Sequence, residues 1–305
     1  MDEGQLALKY MLRSVRPKQW TKNLLVFLAL IFSMNLYWEP FDLTSVGHLL
    51  ARTVAAFALF CLVSSSEYLI NDLVDLENDR QHPQKRLRPL ASGGLKPSYA
   101  LITAVFLVAL SLPLSFWLGR LFGAVVLGYV ILMLLYSLAL KHIVIIDVFT
   151  IAAGFVLRAV AGAVVINVPI SPWLYICTVL GALFIGFSKR RHELVLLNND
   201  APKHRRSLEE YTPQLLEQLI AVVAPAAVIA YSLYTFSATN LPQNHAMMLT
   251  IPFVIYGIFR YLYLVHSKNL GGTPEEILLS DLPLIIDIAL WVVASTVILF
   301  VYRVK

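Results

Sequence analysis

The sequence predicts an all-α, polytopic membrane protein folded as a single domain over residues 1–305, and three observations predict it. Hydrophobic residues make up 58% of the chain and charged residues only 14%, with a mean hydropathy of +0.72, whereas a soluble domain carries roughly a quarter charged residues. Apolar runs near the ~20 residues needed to cross a bilayer as a helix recur nine times, at about residues 22–38, 47–70, 98–118, 121–139, 145–167, 172–195, 216–239, 246–266 and 282–302. Lysine and arginine gather in alternate connections between these runs, as topology requires.

The first run is short. It follows a polar, basic arm carrying Lys9, Arg13, Arg16, Lys18 and Lys22, with no small-residue cleavage pattern, so it reads as a span and not as a cleaved signal peptide. The second run ends in Asn71-Asp72-x-x-Asp75-x-x-x-Asp79. The connection after it carries Arg80, Lys85, Arg86, Arg88 and Lys96. Lys141 follows the fourth run, Lys189, Arg190, Arg191, Lys203, Arg205 and Arg206 follow the sixth, and Lys268 follows the eighth. Counted with the N-terminal arm, eighteen of the 24 basic residues fall on one side. The other side has only Arg52, Arg120, Arg303 and Lys305, and its connections at 167–172 and 241–245 are short and almost uncharged. The N-terminus is therefore expected in the cytoplasm, the C-terminus outside, and any chemistry on the cytoplasmic face of the plasma (inner) membrane.

The net charge of +5 is modest, and the bases lie in connections. They read as topology signals and phosphate ligands, not as a nucleic-acid surface. Cys61 and Cys177 both lie in apolar runs and imply neither a disulfide framework nor a zinc site.

On one continuous helix with Asn71 at 0°, Asp75, Asp79 and Asp72 fall at about 40°, 80° and 100°. That stripe of oxygen donors suits one or two Mg2+ ions completed by diphosphate oxygens. A solvated helix end with capping acids is the plainer alternative, and Asp72 and Asp79 could serve as supporting groups. His82-Pro83 ends the helix, leaving Lys85, Arg86 and Arg88 on a loop able to fold back over the acids. Farther on, Asp147 and Arg158 lie eleven residues apart on one helix face, Arg158 about 16 Å deeper. A charge at that depth faces a polar cavity or an acid on another helix. Lys141, after Tyr136-Ser137, sits at the rim. In Gly186-Phe187-Ser188-Lys189-Arg190-Arg191-His192-Glu193, one carboxylate is flanked by the phosphate-capable Lys189 and Arg190, while Arg191, His192 and the set Lys203, His204, Arg205 and Arg206 read as surface charge. Glu67, Asp281 and Asp287 read as helix-packing or capping groups.

The acidic motif resembles the first aspartate-rich motif of the intramembrane, UbiA-type prenyltransferase superfamily, whose members form a bundle of nine transmembrane helices. Four segments together resemble its decaprenyl-phosphate phosphoribosyltransferase branch. These are Arg16-Pro17-Lys18-Gln19-Trp20-Thr21-Lys22-Asn23, the run from Asp79 and Arg80 through Arg88 to Gly93, the stretch from Tyr136 through Lys141 and Asp147 to Arg158, and residues 186–194. Many aromatic prenyltransferases carry a second aspartate-rich motif in the last of these; this chain does not, which favours a donor richer in phosphate. The resemblance implies Mg2+-dependent transfer of phosphoribose from 5-phosphoribosyl 1-diphosphate to a polyprenyl phosphate, a product that feeds arabinose-donor synthesis in the family. It implies metal ligation by Asn71, Asp72, Asp75 and Asp79, with Asp72, Asp75, Asp79, Asp147 and Lys189 as catalytic groups. Substrate contacts would come from Lys18, Lys22, Asn23, Arg80, Lys85, Arg86, Arg88, Tyr136, Lys141, Arg158, Arg190 and Glu193. A homo-oligomer is compatible with the sequence. The competing readings are an aromatic or quinone prenyltransferase and, remotely, an ion-coupled transporter.

Overall fold

The computed structural model describes residues 3–197, 206–238, 241–268, 277 and 279–302, apart from the side chains of residues 3–8, 197 and 206. Lys203, His204, Arg205, Arg303 and Lys305 lie outside the described residues, as does the side chain of Arg206. After a polar helix α1 (Glu3–Ser14) comes a 3₁₀ run (Pro17–Phe27) that continues as α2 (Leu28–Phe32). Then follow α3 (Leu43–Val74), α4 (Leu76–Gln81), α5 (Pro97–Leu118), α6 (Arg120–Leu138), α7 (Ile146–Val165), α8 (Pro172–Leu197), α9 (Pro213–Ser237), α10 (Ile251–Ser267) and α11 (Leu282–Val301).

Eight helical segments among the described residues, α3 and α5 to α11, with the 3₁₀ turn Ala246–Thr250 leading into α10, are long and apolar enough to cross a membrane. The chain is a multi-pass membrane protein. The first predicted span differs from expectation. It is the 3₁₀ run of 11 residues joined to the 5 residues of α2. The greater rise of a 3₁₀ helix draws these out to about 30 Å, the thickness of the hydrocarbon core, so a short run reaches as far as a longer α-helix.

Local chemistry sets the helix ends. Pro97, Pro172, Pro213, Pro252 and Pro283 open spans in the first turn, where a missing N–H costs no hydrogen bond. Asp42, Thr212 and Asp281 accept from Ser45, Leu215 and Leu284 backbone N–H groups at 3.2, 3.1 and 3.0 Å as caps. Arg52 donates to the C-terminal carbonyls of α5 (Leu118, 2.8 Å) and α7 (Val165, 2.7 Å), where a cation complements the helix dipole.

Consecutive spans pack side by side from α5 to α11, and α3 packs on both α5 and α6. The 3₁₀ run lies against α3 and α7. A Cβ on Gly162 of α7 would fall inside the van der Waals shell of the Val26 carbonyl, so this crossing requires glycine. Asn35 donates to the Leu299 carbonyl at 2.5 Å and Phe32 packs on Trp291, which joins the chain's start to α11 and closes a ring. One apolar core joins the 3₁₀ run, α3, α6 and α7 through Val26, Phe60, Phe122 and Val126; another joins α7 to α10 through Phe184, Phe187, Leu216 and Tyr261. Outward positions such as Ile102, Val105 and Phe106 on α5 are exposed and apolar, as a lipid-facing surface requires.

Candidate active site

The acidic segment does not lie on one helix. Asp75 is the hinge between α3 and α4, with φ −92° and ψ 8°, and the four residues of the predicted stripe meet their partners as two pairs. Asn71 and Asp75 line a charged cavity of about 210 Å³. Asp72 and Asp79 are buried beside it and clasp Arg88, whose Nη1 lies 3.0 Å from Asp72 Oδ1 and 2.5 Å from Asp79 Oδ2. Burial holds the Asp79 carboxyl above its ordinary pKa, while Arg88 and Lys85 pull it down.

The basic loop does fold back over the acids. His82 makes this possible: its Nδ1 accepts from the backbone N–H groups of Gln84 (3.1 Å) and Lys85 (3.2 Å), curling the chain after α4. Lys85 and Arg88 reach the charged cavity, but Arg86 is exposed. Arg80 pairs with Glu77 at 2.7 Å on the outer surface, and Lys18 is also exposed; neither lines the cavity.

Arg16, absent from the candidate set drawn from the sequence, lines the cavity and pairs with Asp72 at 2.5 Å. Its backbone is left-handed, with φ 52° and ψ 63°, a conformation unusual for any residue but glycine and doubly so before proline. The Arg-Pro step at the edge of the first apolar run was the available signal.

Lys141 comes from the turn after α6 (Leu140–His142). Its buried Nζ lies 2.5 Å from Asp75 Oδ1. Asn71 Nδ2 donates to Asp75 Oδ2 at 3.2 Å, and Ser137 Oγ donates to Asn71 Oδ1 at 3.3 Å. The next connection is strained: Ile145, a β-branched residue, has φ 68°. Its N–H donates to Tyr211 Oη at 2.7 Å, and the Tyr211 hydroxyl donates to Asp147 Oδ1 at 2.8 Å. Burial and the Asp147 charge push the Tyr211 hydroxyl well above its usual pKa.

Asp147 was expected to touch metal or a ribose hydroxyl. It is 0% exposed and lines neither cavity. Its Oδ2 instead lies 2.9 Å from Arg190 Nε, so its place is that of a brace for Arg190. Glu193, one turn on, holds the other side of the same guanidinium.

Arg158 lines the charged cavity from deep within α7. It pairs with no carboxylate among the described residues. It donates to Asn23 Oδ1 (2.7 Å), the Gly154 carbonyl (2.9 Å) and Tyr129 Oη (2.8 Å), with Tyr129 and Phe155 rings stacked nearby. Asn23 is fixed in turn by Ser64 at 3.2 Å. A guanidinium held by neutral acceptors keeps its full positive charge available to an anion.

A second cavity, of about 750 Å³, follows α8 from Pro172 to Arg190, about 27 Å along the helix. Apart from its charged end it is lined mostly by apolar and aromatic side chains, among them Phe32, Trp173, Tyr234 and Trp291. Lys22, Ile151, Phe155, Lys189 and Arg190 line both cavities. The charged chamber and the apolar one meet at three cations. Tyr136 and Glu193 also line the charged chamber. Asn23 supports it from behind.

Among the described residues no three His, Cys, Asp or Glu side chains stand close enough to enclose a metal. Asn71 and Asp75 line the chamber, and both carry oxygens of the kind that bind a hard cation. Mg2+ is ordinarily held by one or two carboxylates and by phosphate oxygens of the substrate, so this donor set fits magnesium that arrives with a phosphate.

The sequence pattern described as the UbiA prenyltransferase family matches residues 25–275. A decaprenyl-phosphate phosphoribosyltransferase of Mycolicibacterium smegmatis is 37% identical over 291 residues, covering 92% of this chain and 90% of that protein. A protein of the same name from Corynebacterium glutamicum is 36% identical, covering 92% and 84%. The solved structure of a UbiA homolog from Archaeoglobus fulgidus bound to GPP and Mg2+ superposes with a TM-score of 0.71 at 20% identity, covering 96% of this chain and 100% of that one.

Proposed function

The chain belongs to the UbiA prenyltransferase family, and from that premise we propose that it transfers phosphoribose from 5-phosphoribosyl 1-diphosphate to a polyprenyl phosphate of decaprenyl type and releases diphosphate. The reaction is Mg2+-dependent and runs at the cytoplasmic face of the plasma membrane. The observation that carries the reading is the meeting of the two cavities at Lys22, Lys189 and Arg190. A charged chamber suits a small polyphosphate donor, an apolar channel as long as the bilayer is thick suits a polyprenyl chain, and the cations between them suit the acceptor's phosphate. The names of the relatives point the same way. The cytoplasmic placement rests on the eighteen of 24 basic residues gathered on that side.

The donor's diphosphate lies against Lys85, Arg88 and Lys141. Asp72 and Asp79 aim Arg88, and Asp75 aims Lys141. Asn71 and Asp75 would hold magnesium, which neutralises charge on the leaving diphosphate. Arg158 binds the donor's other phosphate at the inner end of the chamber. An acceptor phosphate oxygen, held by Lys22 and Lys189, forms a bond to ribose C1 while the bond from C1 to the diphosphate oxygen breaks. The acceptor is already ionised at neutral pH, so no side chain has to remove a proton. Catalysis is positioning and stabilisation of the leaving group.

The test uses purified protein in detergent or nanodiscs with Mg2+. One arm supplies labelled 5-phosphoribosyl 1-diphosphate and decaprenyl phosphate; the other supplies prenyl diphosphate and 4-hydroxybenzoate. The mass of the lipid product decides. Phosphoribosylated lipid in the first arm supports the reading, and prenylated benzoate in the second overturns it.

A further inference from the structure

Among the described residues that line the charged chamber, Glu67 is the strongly buried carboxylate that the mechanism above leaves unused. It is 5% exposed, and neither carboxylate oxygen has a hydrogen-bond partner among the described residues. It lies on α3 one turn before Asn71, lines the same chamber, and stands among Tyr68, Tyr129 and Arg158. A buried carboxylate without donors is costly, and native proteins rarely leave one so. The sequence suggested a packing or capping role for Glu67, but those roles would pair its oxygens.

What such a group accepts follows from its place. The outer part of the chamber is cationic, through Lys85, Arg88 and Lys141, and selects phosphate. Glu67 sits about 6 Å farther in along the helix from Asn71. A carboxylate leaves the phosphates to the outer cations and Arg158 and itself accepts hydrogen bonds, two at once from neighbouring hydroxyls. A prenyl chain has no donor to offer and would seal the carboxylate in apolar surroundings. A pentose attached to the diphosphate brings vicinal hydroxyls to that depth.

We infer that Glu67 is a specificity-determining residue that accepts hydrogen bonds from the ribose hydroxyls of the donor and so selects a pentosyl over a prenyl diphosphate. The inference rests on the transfer reaction proposed above. It names the part of the donor that this chain reads.

The probes are ribose 5-phosphate and 2-deoxyribose 5-phosphate, each with Mg2+ and inorganic diphosphate, used as competitors of phosphoribosyl transfer by the full-length protein. In the wild type, the ribose compound should compete about tenfold or more better than the deoxy compound, because a site built around a hydroxyl discriminates against its loss. In Glu67→Leu the two should compete equally, with a raised KM for the donor, and Glu67→Gln should fall between. Equal competition in the wild type, or an undiminished ribose preference in Glu67→Leu, overturns the assignment. Should Glu67→Leu not fold, the wild-type comparison and Glu67→Gln decide. Wild-type protein that transfers no phosphoribose overturns the underlying reaction; transfer with an unchanged preference in the variants overturns only the role of Glu67.

Discussion

The Lys141 ammonium lies 2.5 Å from Asp75 Oδ1, tying the turn after α6 to the hinge between α3 and α4. The pair stands at the charged chamber's wall, where the proposed reaction has Asp75 aim a phosphate-binding cation and offer an oxygen to magnesium. Asp75→Asn keeps the shape and removes the charge. It should lower transfer by about 10²-fold or more, in line with the loss of one aimed electrostatic group, while the thermal unfolding midpoint stays within a few degrees. Chelation of Mg2+ should silence the wild type, and adding it back should restore only the wild type. Turnover of the asparagine variant at the wild-type rate would remove Asp75 from the machinery.

Gly162 meets the Val26 carbonyl where α7 crosses the 3₁₀ run. An alanine there forces backbone apart, not merely a flexible side chain, and overpacking of this kind costs about 1–3 kcal/mol. Asn23, three residues before Val26, holds Arg158, so the displacement reaches the chamber. Gly162→Ala should lower both the unfolding midpoint and the affinity for the phosphate donor. A variant of wild-type stability and wild-type donor KM would show that the crossing has slack.

Arg260 forms a two-pronged pair with Asp281, Nε to Oδ1 at 3.0 Å and Nη2 to Oδ2 at 2.8 Å, and Asp281 also caps α11. The Arg260 partnership lowers the Asp281 pKa below its usual value. A lowered carboxyl pKa gives stability that is complete above the unfolded value, about pH 4, and is lost as pH falls through the folded value. Unfolding midpoints should therefore fall as pH drops below about 4 in the wild type. Asp281→Asn keeps a capping oxygen and should flatten that limb. Asp281→Ala should flatten it and lose about 1 kcal/mol more through the cap. Equal acid sensitivity in the wild type and Asp281→Asn would show that the pair contributes nothing to the pH dependence.

Asp281 also marks how far the sequence could be read. Capping and membrane crossing are local: an acid before a proline-led apolar run announces both, and the long helices α3 and α5 to α11 follow from runs visible in the chain. The folding-back of Lys85 and Arg88 was legible too, because proline ends the preceding helix. The division of the acidic stripe was not. Asn71 and Asp75 separate from Asp72 and Asp79 because Arg16 and Arg88 hold Asp72, Arg88 holds Asp79 and Lys141 holds Asp75, partners from other segments that no angle along one helix records. Asp147 was expected on the same helix face as Arg158, but tertiary packing sends it to Arg190 and leaves Arg158 alone of the two at the chamber. The left-handed turn at Arg16 and the unpartnered oxygens of Glu67 depend on what other helices supply, which no local pattern records.

Lys189 lies on α8 where the charged and apolar cavities meet, and Lys22 of the 3₁₀ run lines both cavities as well. Its neighbour Arg190 is locked by Asp147 and Glu193, and the proposed reaction gives the acceptor's phosphate to Lys189. Replacing the lysine by methionine keeps its length and apolar stem but removes the charge. If the acceptor's phosphate rests there, Lys189→Met should raise the KM for decaprenyl phosphate by about tenfold, the equivalent of one charge-assisted hydrogen bond, while the KM for 5-phosphoribosyl 1-diphosphate changes less than twofold. Arg88→Met should do the reverse, because Arg88 is held by Asp72 and Asp79 at the donor's end of the chamber. Initial rates measured with each substrate varied in turn separate the two. A Lys189→Met defect that falls on the donor alone would place the acceptor elsewhere.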